Sequence, residues 1–274
     1  MRLPDGYQER VYTPQQARSM EAVWRHEEPR AGRSLILPDG RCDVIVRFNA
    51  DPTVVPRLVV TGPATQPYWV EFEAGDRWIG VRLRPERGGV LWGDALAHAK
   101  NQVALEDEAE ALVPEPAGLC VAGVSAKDLR QALVRFVEGR PLSPEGYRVG
   151  ETVRRLHLTG GRFSVTELAA RAGCSTRHLN RMFAGTVGLS VKTYASLVQF
   201  HRALRLVCEA GGSLSDAAFE AGYADQAHMT RAMRRFGGFV PSAIPEGLIR
   251  PDVSGGLWGN RAAQEGDVRF LQAH

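Results

Sequence analysis

The sequence predicts an α+β protein with a β-rich sandwich or barrel and flanking helices in its N-terminal part and an all-α C-terminal domain. Short Val-, Ile-, Trp- and Phe-rich runs between turn sequences fill the first 100 residues, and helical periodicity follows them. A repeated helical unit then occupies the C-terminal part. A chain of 274 residues is long enough for two domains, and its 44% hydrophobic and 24% charged content excludes extended disorder and fibrous repeats.

Five short apolar runs predict strands in the N-terminal part. Pro-Asp-Gly, Asp-Pro, Gly-Pro and Ala-Gly-Asp separate them, and these are turn-forming sequences. Regular spacing of short strands favours a sandwich or a barrel. The predicted strands are Ser34–Leu37, Val44–Phe48, Leu58–Thr61, Tyr68–Phe72 and Trp78–Leu83.

A helix is predicted to end the N-terminal domain. Ser125 can cap its first turn, and Asp128 stands where the helix dipole favours a negative charge. A Pro- and Gly-rich stretch at 139–146 then breaks the chain. We therefore predict a sensory or dimerisation domain at 1–140 with a linker helix at 125–138, a second domain at 147–246, and a tail at 251–274.

Charge is distributed unevenly along the chain. Residues 1–150 carry 19 Lys and Arg against 21 Asp and Glu, whereas residues 151–250 carry 13 against 7. The second part therefore has a net charge of +6. A basic module of this kind favours a polyanionic partner, with a solvated basic face as the plainer alternative.

The C-terminal part contains an internal repeat. The capping box Ser164–Glu167 opens a helix that leads to Gly173, and 49 residues later Ser213 opens a similar helix that leads to Gly222. Each glycine is preceded by an Ala four residues earlier. A helix-turn-helix requires a small residue where its helices cross and a Gly in its sharp turn, so we predict two such units, 164–184 and 213–237, joined by the segment 188–210.

The second helix of each unit has an apolar face and a polar face. Arg, Asn, Gln and His side chains read base edges or hold phosphates, and short Ala and Thr side chains can contact a thymine methyl. A single Ala-Gly helix pair is usually plain helical packing. Two copies at matched spacing in the basic part of the chain favour DNA binding.

Residues from about 150 to 245 resemble the DNA-binding domain of the AraC/XylS family of bacterial transcription regulators. The most specific match is Gly222–Met229, with Met229 where the family usually has Phe. The resemblance implies two units entering successive major grooves about 34 Å apart. It also implies that Asp225 caps the second recognition helix and that Lys192 and Ser242 lie near helix N-termini facing phosphate. The predicted DNA-binding residues are Ser175, Thr176, Arg177, His178, Asn180, Arg181, Lys192, Asp225, Gln226, Ala227, His228, Thr230, Arg231, Arg234 and Ser242.

The N-terminal part resembles an uncharacterised domain of one AraC-type subgroup. The matching stretches include Ile36–Gly40, Asp43–Val46 and Gly80–Pro85, and the resemblance implies a small cupin-like β domain. Aromatic residues on strands are more often core than pocket, but the mouth of a barrel is the default place for a small effector. The predicted effector pocket comprises Trp24, Phe48, Trp69 and Trp78.

The sequence carries no catalytic or cofactor motif, and its seven His residues are scattered. Asp39 and Asp43 flank Cys42, where a turn role for an Asp before Gly is favoured over metal ligation. We therefore expect no enzyme activity, no cofactor, no metal and no membrane segment, and a bacterial cytoplasmic location. An enzyme with an appended helix-turn-helix, such as a DNA-repair alkyltransferase, would need a reactive Cys motif that the sequence lacks.

The expected partners are double-stranded promoter DNA, a small-molecule effector, RNA polymerase and a second copy of the chain. In a homodimer the 125–138 helix would pack against its copy; packing on its own domain is the equal alternative. A different class of function also stays open, in which the helix-turn-helix units bind a protein or ligand rather than DNA.

Overall fold

The computed structural model describes residues 6–27, 29–209 and 213–245, so the tail predicted at 251–274 lies outside the described residues. All five predicted strands are present, as β3 to β7, and three further strands complete the β domain. The strands are β1 (Tyr7–Val11), β2 (Met20–Glu27), β3 (Gly32–Ile36), β4 (Asp43–Phe48), β5 (Arg57–Thr61), β6 (Tyr68–Phe72), β7 (Arg77–Leu83) and β8 (Val103–Leu105).

The strands form two antiparallel layers. Six of them make a sheet in the order β1-β2-β7-β4-β5-β8, and β3 pairs with β6 in a separate two-stranded sheet. Side chains alternate between the two faces of the large sheet. Val44, Val46 and Val81 lie in an apolar core with the helices, whereas Asp43 and Ile45 line a cavity shared with β3 and β6.

Short helices close one side of the β domain. They are α1 (Gly89–Trp92), α2 (Glu106–Leu112), α3 (Pro114–Ala117) and α4 (Ala126–Glu138), with 3₁₀ turns at Pro85–Arg87 and Gly93–His98. Ser125 caps α4 as predicted, and Leu129 and Leu133 on its apolar face are fully buried against the β domain. The apolar face of this helix is thus covered by its own domain and is not free to pack against a second copy.

The C-terminal part is all helical. Its helices are α5 (Pro144–Leu158), α6 (Val165–Arg171), α7 (Thr176–Val187), α8 (Val191–Glu209), α9 (Leu214–Ala221) and α10 (Gln226–Gly237). The pairs α6–α7 and α9–α10 are the two predicted helix-turn-helix units, and α8 links them. Their apolar faces share one core, which includes Phe183, Tyr194, Phe200 and Phe236.

A segment of the β domain penetrates the helical core. Leu35 and Leu37 belong to that core, and the Nε2–H of His201 in α8 donates to the Pro38 carbonyl at 2.7 Å. Gly40 adopts φ +69°, and a Cβ there would lie 3.1 to 3.2 Å from side chains of α8 and of the turn before it. The segment 37–41 is therefore packed directly against the helix that links the two units.

Candidate DNA-binding surface and ligand cavity

Local sequence fixes the start and turn of each helix-turn-helix unit. The Ser164 hydroxyl accepts from the Glu167 N–H at 3.1 Å while the Glu167 carboxylate accepts from the Ser164 N–H, which confirms the predicted capping box. Ser213 accepts from the Asp216 N–H in the same way. Gly173 (φ +65°) and Gly222 (φ +82°) both adopt the left-handed conformation that favours Gly.

The helix crossings also follow the prediction. Ala169 and Ala218 are 2% and 1% exposed, so a larger side chain at either position would separate the two helices of its unit. The units thus share one architecture because they share the same capping, small-residue and turn chemistry.

The apolar sides of α7 and α10 lie in the core and their opposite sides face solvent. Leu179, Met182 and Phe183 in α7 are buried, as are Met229 and Phe236 in α10. Of the predicted DNA-binding residues on or next to these helices, the exposed ones are Ser175, Thr176, Arg177, Arg181, Asp225, Gln226, Ala227, His228, Arg231 and Arg234.

Both helices begin with a side-chain cap at the exposed end. The Ser175 hydroxyl accepts from the His178 N–H at 3.2 Å, and the Asp225 carboxylate accepts from the His228 N–H at 2.6 Å. Asp225 therefore caps the second helix, as the family resemblance implies. The ring of His228 packs edge-on against Tyr223, with ring centres 5.1 Å apart, which holds the first turn of α10 in place.

Two side chains that were predicted to read bases make hydrogen bonds within the protein instead. The Asn180 amide donates to the Thr176 carbonyl at 3.0 Å, and its oxygen accepts from the Val191 N–H at the start of α8. The Thr230 hydroxyl donates to the Gln226 carbonyl at 2.9 Å. Both residues are half-buried, so in this conformation Asn180 ties α7 to α8 rather than projecting outward.

The remaining predicted contacts lie around these helices. His178 is half-buried, and its Nδ1 lies 2.8 Å from an Arg181 Nη, which holds that guanidinium along the helix. Lys192 is exposed in the first turn of α8, as expected for a residue near a helix N-terminus. Ser242 is exposed in a turn after α10, and within the part of the chain that the structure describes no helix starts there.

A cavity of about 380 Å³ lies between the large sheet and the β3–β6 pair. Trp24, Trp69 and Trp78 of the predicted effector pocket line it. Phe48 does not: strand alternation places it on the same face of β4 as Val46, in the core beneath the helices, so its inclusion in the pocket was wrong.

The predicted effector pocket did not include the charged side chains of the cavity wall. Arg82 pairs with Glu9 at 3.1 Å and with Asp39 at 3.2 Å, and it lies 3.7 Å from Asp43. Arg41 is 2% exposed and forms a two-point ion pair with Glu21. Alternation could have found Asp43 and Arg82, because each occupies a cavity-facing position on a strand whose other face is apolar.

Asp39 and Asp43 have different environments. Asp39 accepts from the Arg41 N–H at 2.9 Å, which is the turn role that the sequence favours. Asp43 accepts from the Trp24 indole N–H at 2.7 Å. Burial raises the pKa of Asp43 to about 7, with Arg82 lowering it and Asp39 raising it further.

Neither a metal centre nor a membrane span is found among residues 6–27, 29–209 and 213–245. No three His, Cys, Asp or Glu side chains in these ranges are placed to hold an ion. The helices of the same ranges are too short or too polar to cross a bilayer.

Comparisons with known proteins match both parts of the chain. A family model described as a helix-turn-helix domain matches residues 168–246, and one described as a domain of unknown function, DUF6597, matches residues 12–104. The uncharacterized HTH-type transcriptional regulator YidL of Escherichia coli (strain K12) is 28% identical over 110 residues. That match covers 40% of this chain and 37% of YidL, so the chain spans little more than a third of this relative's length.

Two solved structures also match the chain. A transcriptional regulator with an AraC-type DNA-binding domain from Chromobacterium violaceum is 21% identical, with a TM-score of 0.34 over 35% of this chain and 87% of that one. ToxT from Vibrio cholerae is 10% identical, with a TM-score of 0.39 over 87% of this chain and 97% of that one.

The paired, capped helices and the family match together define a helix-turn-helix protein. The chain therefore carries a DUF6597 domain followed by a helix-turn-helix domain, and these matches support its resemblance to the AraC/XylS family of transcription regulators.

Proposed function

We propose that the protein is a sequence-specific DNA-binding transcription regulator whose helices α7 and α10 enter successive major grooves. One observation carries the proposal: each helix buries its apolar side and exposes at least two arginines. These are Arg177 and Arg181 on α7, and Arg231, Arg234 and Arg235 on α10. Arginine is the commonest reader of guanine in the major groove and also holds phosphates, so either contact would use the same exposed face.

We further propose that a small effector in the β-domain cavity modulates this DNA binding. Leu37, Asp39 and Arg41 line the cavity, and their segment is packed against α8. A change in the position of this segment would therefore act on the helix that joins the two units.

A second segment supports the same coupling. Gly62 and Ala64 line the cavity, and the chain continues from them to Pro67. A Cβ on Gly188 at the end of α7 would lie 2.8 Å from Pro63 Cγ, and one on Gly238 at the end of α10 would lie 3.4 Å from Pro67 Cγ. The segment 62–67 thus reaches the C-terminal ends of both recognition helices, where it can influence their separation.

In this proposal the protein binds chromosomal DNA in a bacterial cytoplasm and catalyses no reaction. RNA polymerase is the partner through which bound protein would act on transcription. A homodimer in this proposal uses a surface other than the apolar face of α4.

Selection of binding sites from random DNA with the full-length protein tests the function. We expect a site with two half-sites about one helical turn apart, the spacing of successive major grooves. Affinity for the selected site should fall about a hundred-fold between roughly 50 and 200 mM salt if four phosphates are neutralised.

Matched arginine variants locate the interface. Arg177→Ala should weaken binding to the selected site, whereas Arg57→Ala removes the same charge from an exposed strand position in the β domain and should leave affinity unchanged. Equal losses in both variants would indicate non-specific attraction. If no sequence is enriched, the helices serve protein contacts and the proposal is wrong.

A further inference from the structure

Aromatic rings make up much of the cavity wall. Six of them line it: Tyr7, Trp24, Tyr68, Trp69, Phe72 and Trp78. A volume of about 380 Å³ lies within the range of small-molecule sites. The faces of such rings attract cations, with Trp the strongest.

Carboxylates outnumber guanidinium groups at the polar end of this cavity. Arg41 is neutralised by its two-point pair with Glu21. The other guanidinium, on Arg82, faces three carboxylates, those of Glu9, Asp39 and Asp43. Two of these carboxylates, those of Asp39 and Asp43, line the cavity itself and share the one guanidinium of Arg82.

Arg82 is poorly placed to receive an anionic ligand. Its side chain is 4% exposed, Nη1 donates to Glu9 at 3.1 Å, and Nη2 donates to the Tyr7 hydroxyl at 3.4 Å. Nε makes no hydrogen bond, but the Asp39 carboxylate lies 3.2 Å from it in an ion pair. A carboxylate ligand would have to displace one of these oxygens and would add to the negative charge already present.

Of the three carboxylates around Arg82, that of Asp43 lies farthest from the guanidinium. One of its oxygens accepts from Trp24, and the other lies 3.7 Å from Arg82, longer than a hydrogen bond. Burial raises the pKa of this carboxyl to about 7 despite Arg82. A positive group in the cavity would supply the stabilisation that Arg82 does not provide.

From these contacts we infer that the cavity binds a compact, mainly aromatic or alicyclic molecule with one protonated amino group, held by Asp43 and Asp39 within the aromatic wall. The inference rests on the proposed function, for which it names the chemical class of the effector. Apolar surface supplies the affinity, and the carboxylates select for the positive charge.

Three indoles of matched shape and different charge test the inference by calorimetric titration of the full-length protein. They are tryptamine, 3-propylindole and indole-3-propionate. A charge-assisted hydrogen bond in a buried site should make tryptamine bind about ten-fold or more tightly than 3-propylindole, with indole-3-propionate weakest. Equal or tighter binding of indole-3-propionate, or no binding of any of the three at millimolar concentration, would overturn the inference.

Variants assign the selectivity to individual residues. Asp43→Asn should weaken tryptamine about ten-fold and change 3-propylindole less than two-fold, whereas Asp94→Asn, an exposed acid of the same domain, should change neither. Trp69→Ala gives a second readout that does not depend on the folding of the buried variant, because Trp69 is 52% exposed. It should weaken tryptamine and 3-propylindole alike, and unchanged binding would contradict the site.

DNA binding of the wild-type protein is measured in parallel on the selected site without ligand. Intact DNA binding with no charge preference in the cavity refutes this inference alone. Absence of sequence-specific DNA binding refutes the proposed function, whatever the indole affinities are.

Discussion

Replacing Gly40 with Ala tests whether the β domain is tightly packed against α8, the helix that links the two helix-turn-helix units. Gly40 has a left-handed backbone, with φ +69°, in the segment that enters the helical core. A Cβ there would lie 3.1 Å from Leu197 Cδ1 and 3.2 Å from both Leu189 Cδ1 and Tyr194 Cδ2. These three side chains are at most 3% exposed, so they cannot swing aside into solvent.

The expected loss has two parts. Holding Ala in the left-handed conformation costs about 1 kcal/mol relative to Gly, and crowding a packed core costs about 1 to 3 kcal/mol. Gly40→Ala should therefore lower the free energy of unfolding by about 2 to 4 kcal/mol. Gly123 is the matched control: its φ is +77°, but no atom lies within 4 Å of the added Cβ, so only the backbone part applies.

Urea unfolding of the wild type and of the two variants measures both parts of the loss in stability. The affinity of Gly40→Ala for the selected DNA site shows whether the linking helix is disturbed. We expect the Gly40 variant to be destabilised by at least about 1 kcal/mol more than the Gly123 variant. Equal losses would refute the contact between segment 37–41 and α8, and with it the physical route proposed from cavity to DNA.

Three further outcomes are expected. Arg231→Ala should cost roughly 1 to 3 kcal/mol of DNA binding and relax the choice at one base in competition assays, whereas a uniform loss over all sequences would make Arg231 a phosphate contact. The pKa of Asp43 is about 7 in the folded protein and about 3.9 in an unfolded chain, so the folded protein holds this proton more tightly. The free energy of unfolding of the wild type should therefore decrease by up to about 4 kcal/mol as the pH rises from about 4 to 7. Thermal unfolding at several pH values should show a smaller decrease for Asp43→Asn. Ser164→Ala should lose about 1 kcal/mol by urea unfolding through its capping box, and an unchanged midpoint would contradict that role.

Local chemistry made the helical domain predictable. Capping residues, small crossing residues and turn glycines act within a few positions of one another, so Ser164, Ala169 and Gly173 reveal the first unit without knowledge of the remaining fold. Burial of Leu179 and exposure of Arg177 follow from helical periodicity for the same reason. Asn180 departs from this pattern because its partner, the Val191 N–H, lies eleven residues away and beyond the end of the helix.

The β domain was predictable only in part. Alternating apolar runs located β3 to β7, but β1, β2 and β8 lacked a run strong enough to be identified. Phe48 was assigned to the pocket because the sequence around it does not show which face of β4 lines the cavity and which face packs against the helices. That choice depends on pairing between distant strands and on the helices that cover one face of the sheet.

The sequence alone therefore determined the class of protein, through short-range patterns that each unit carries within itself. Only the tertiary structure decided that segments 37–41 and 62–67 contact both the cavity and the helix-turn-helix units. It also decided that Glu9, Asp39 and Asp43 converge on one arginine, Arg82. The reason is that these groups come from separate strands and loops, and their distances are set by strand pairing and domain packing rather than by separation along the chain.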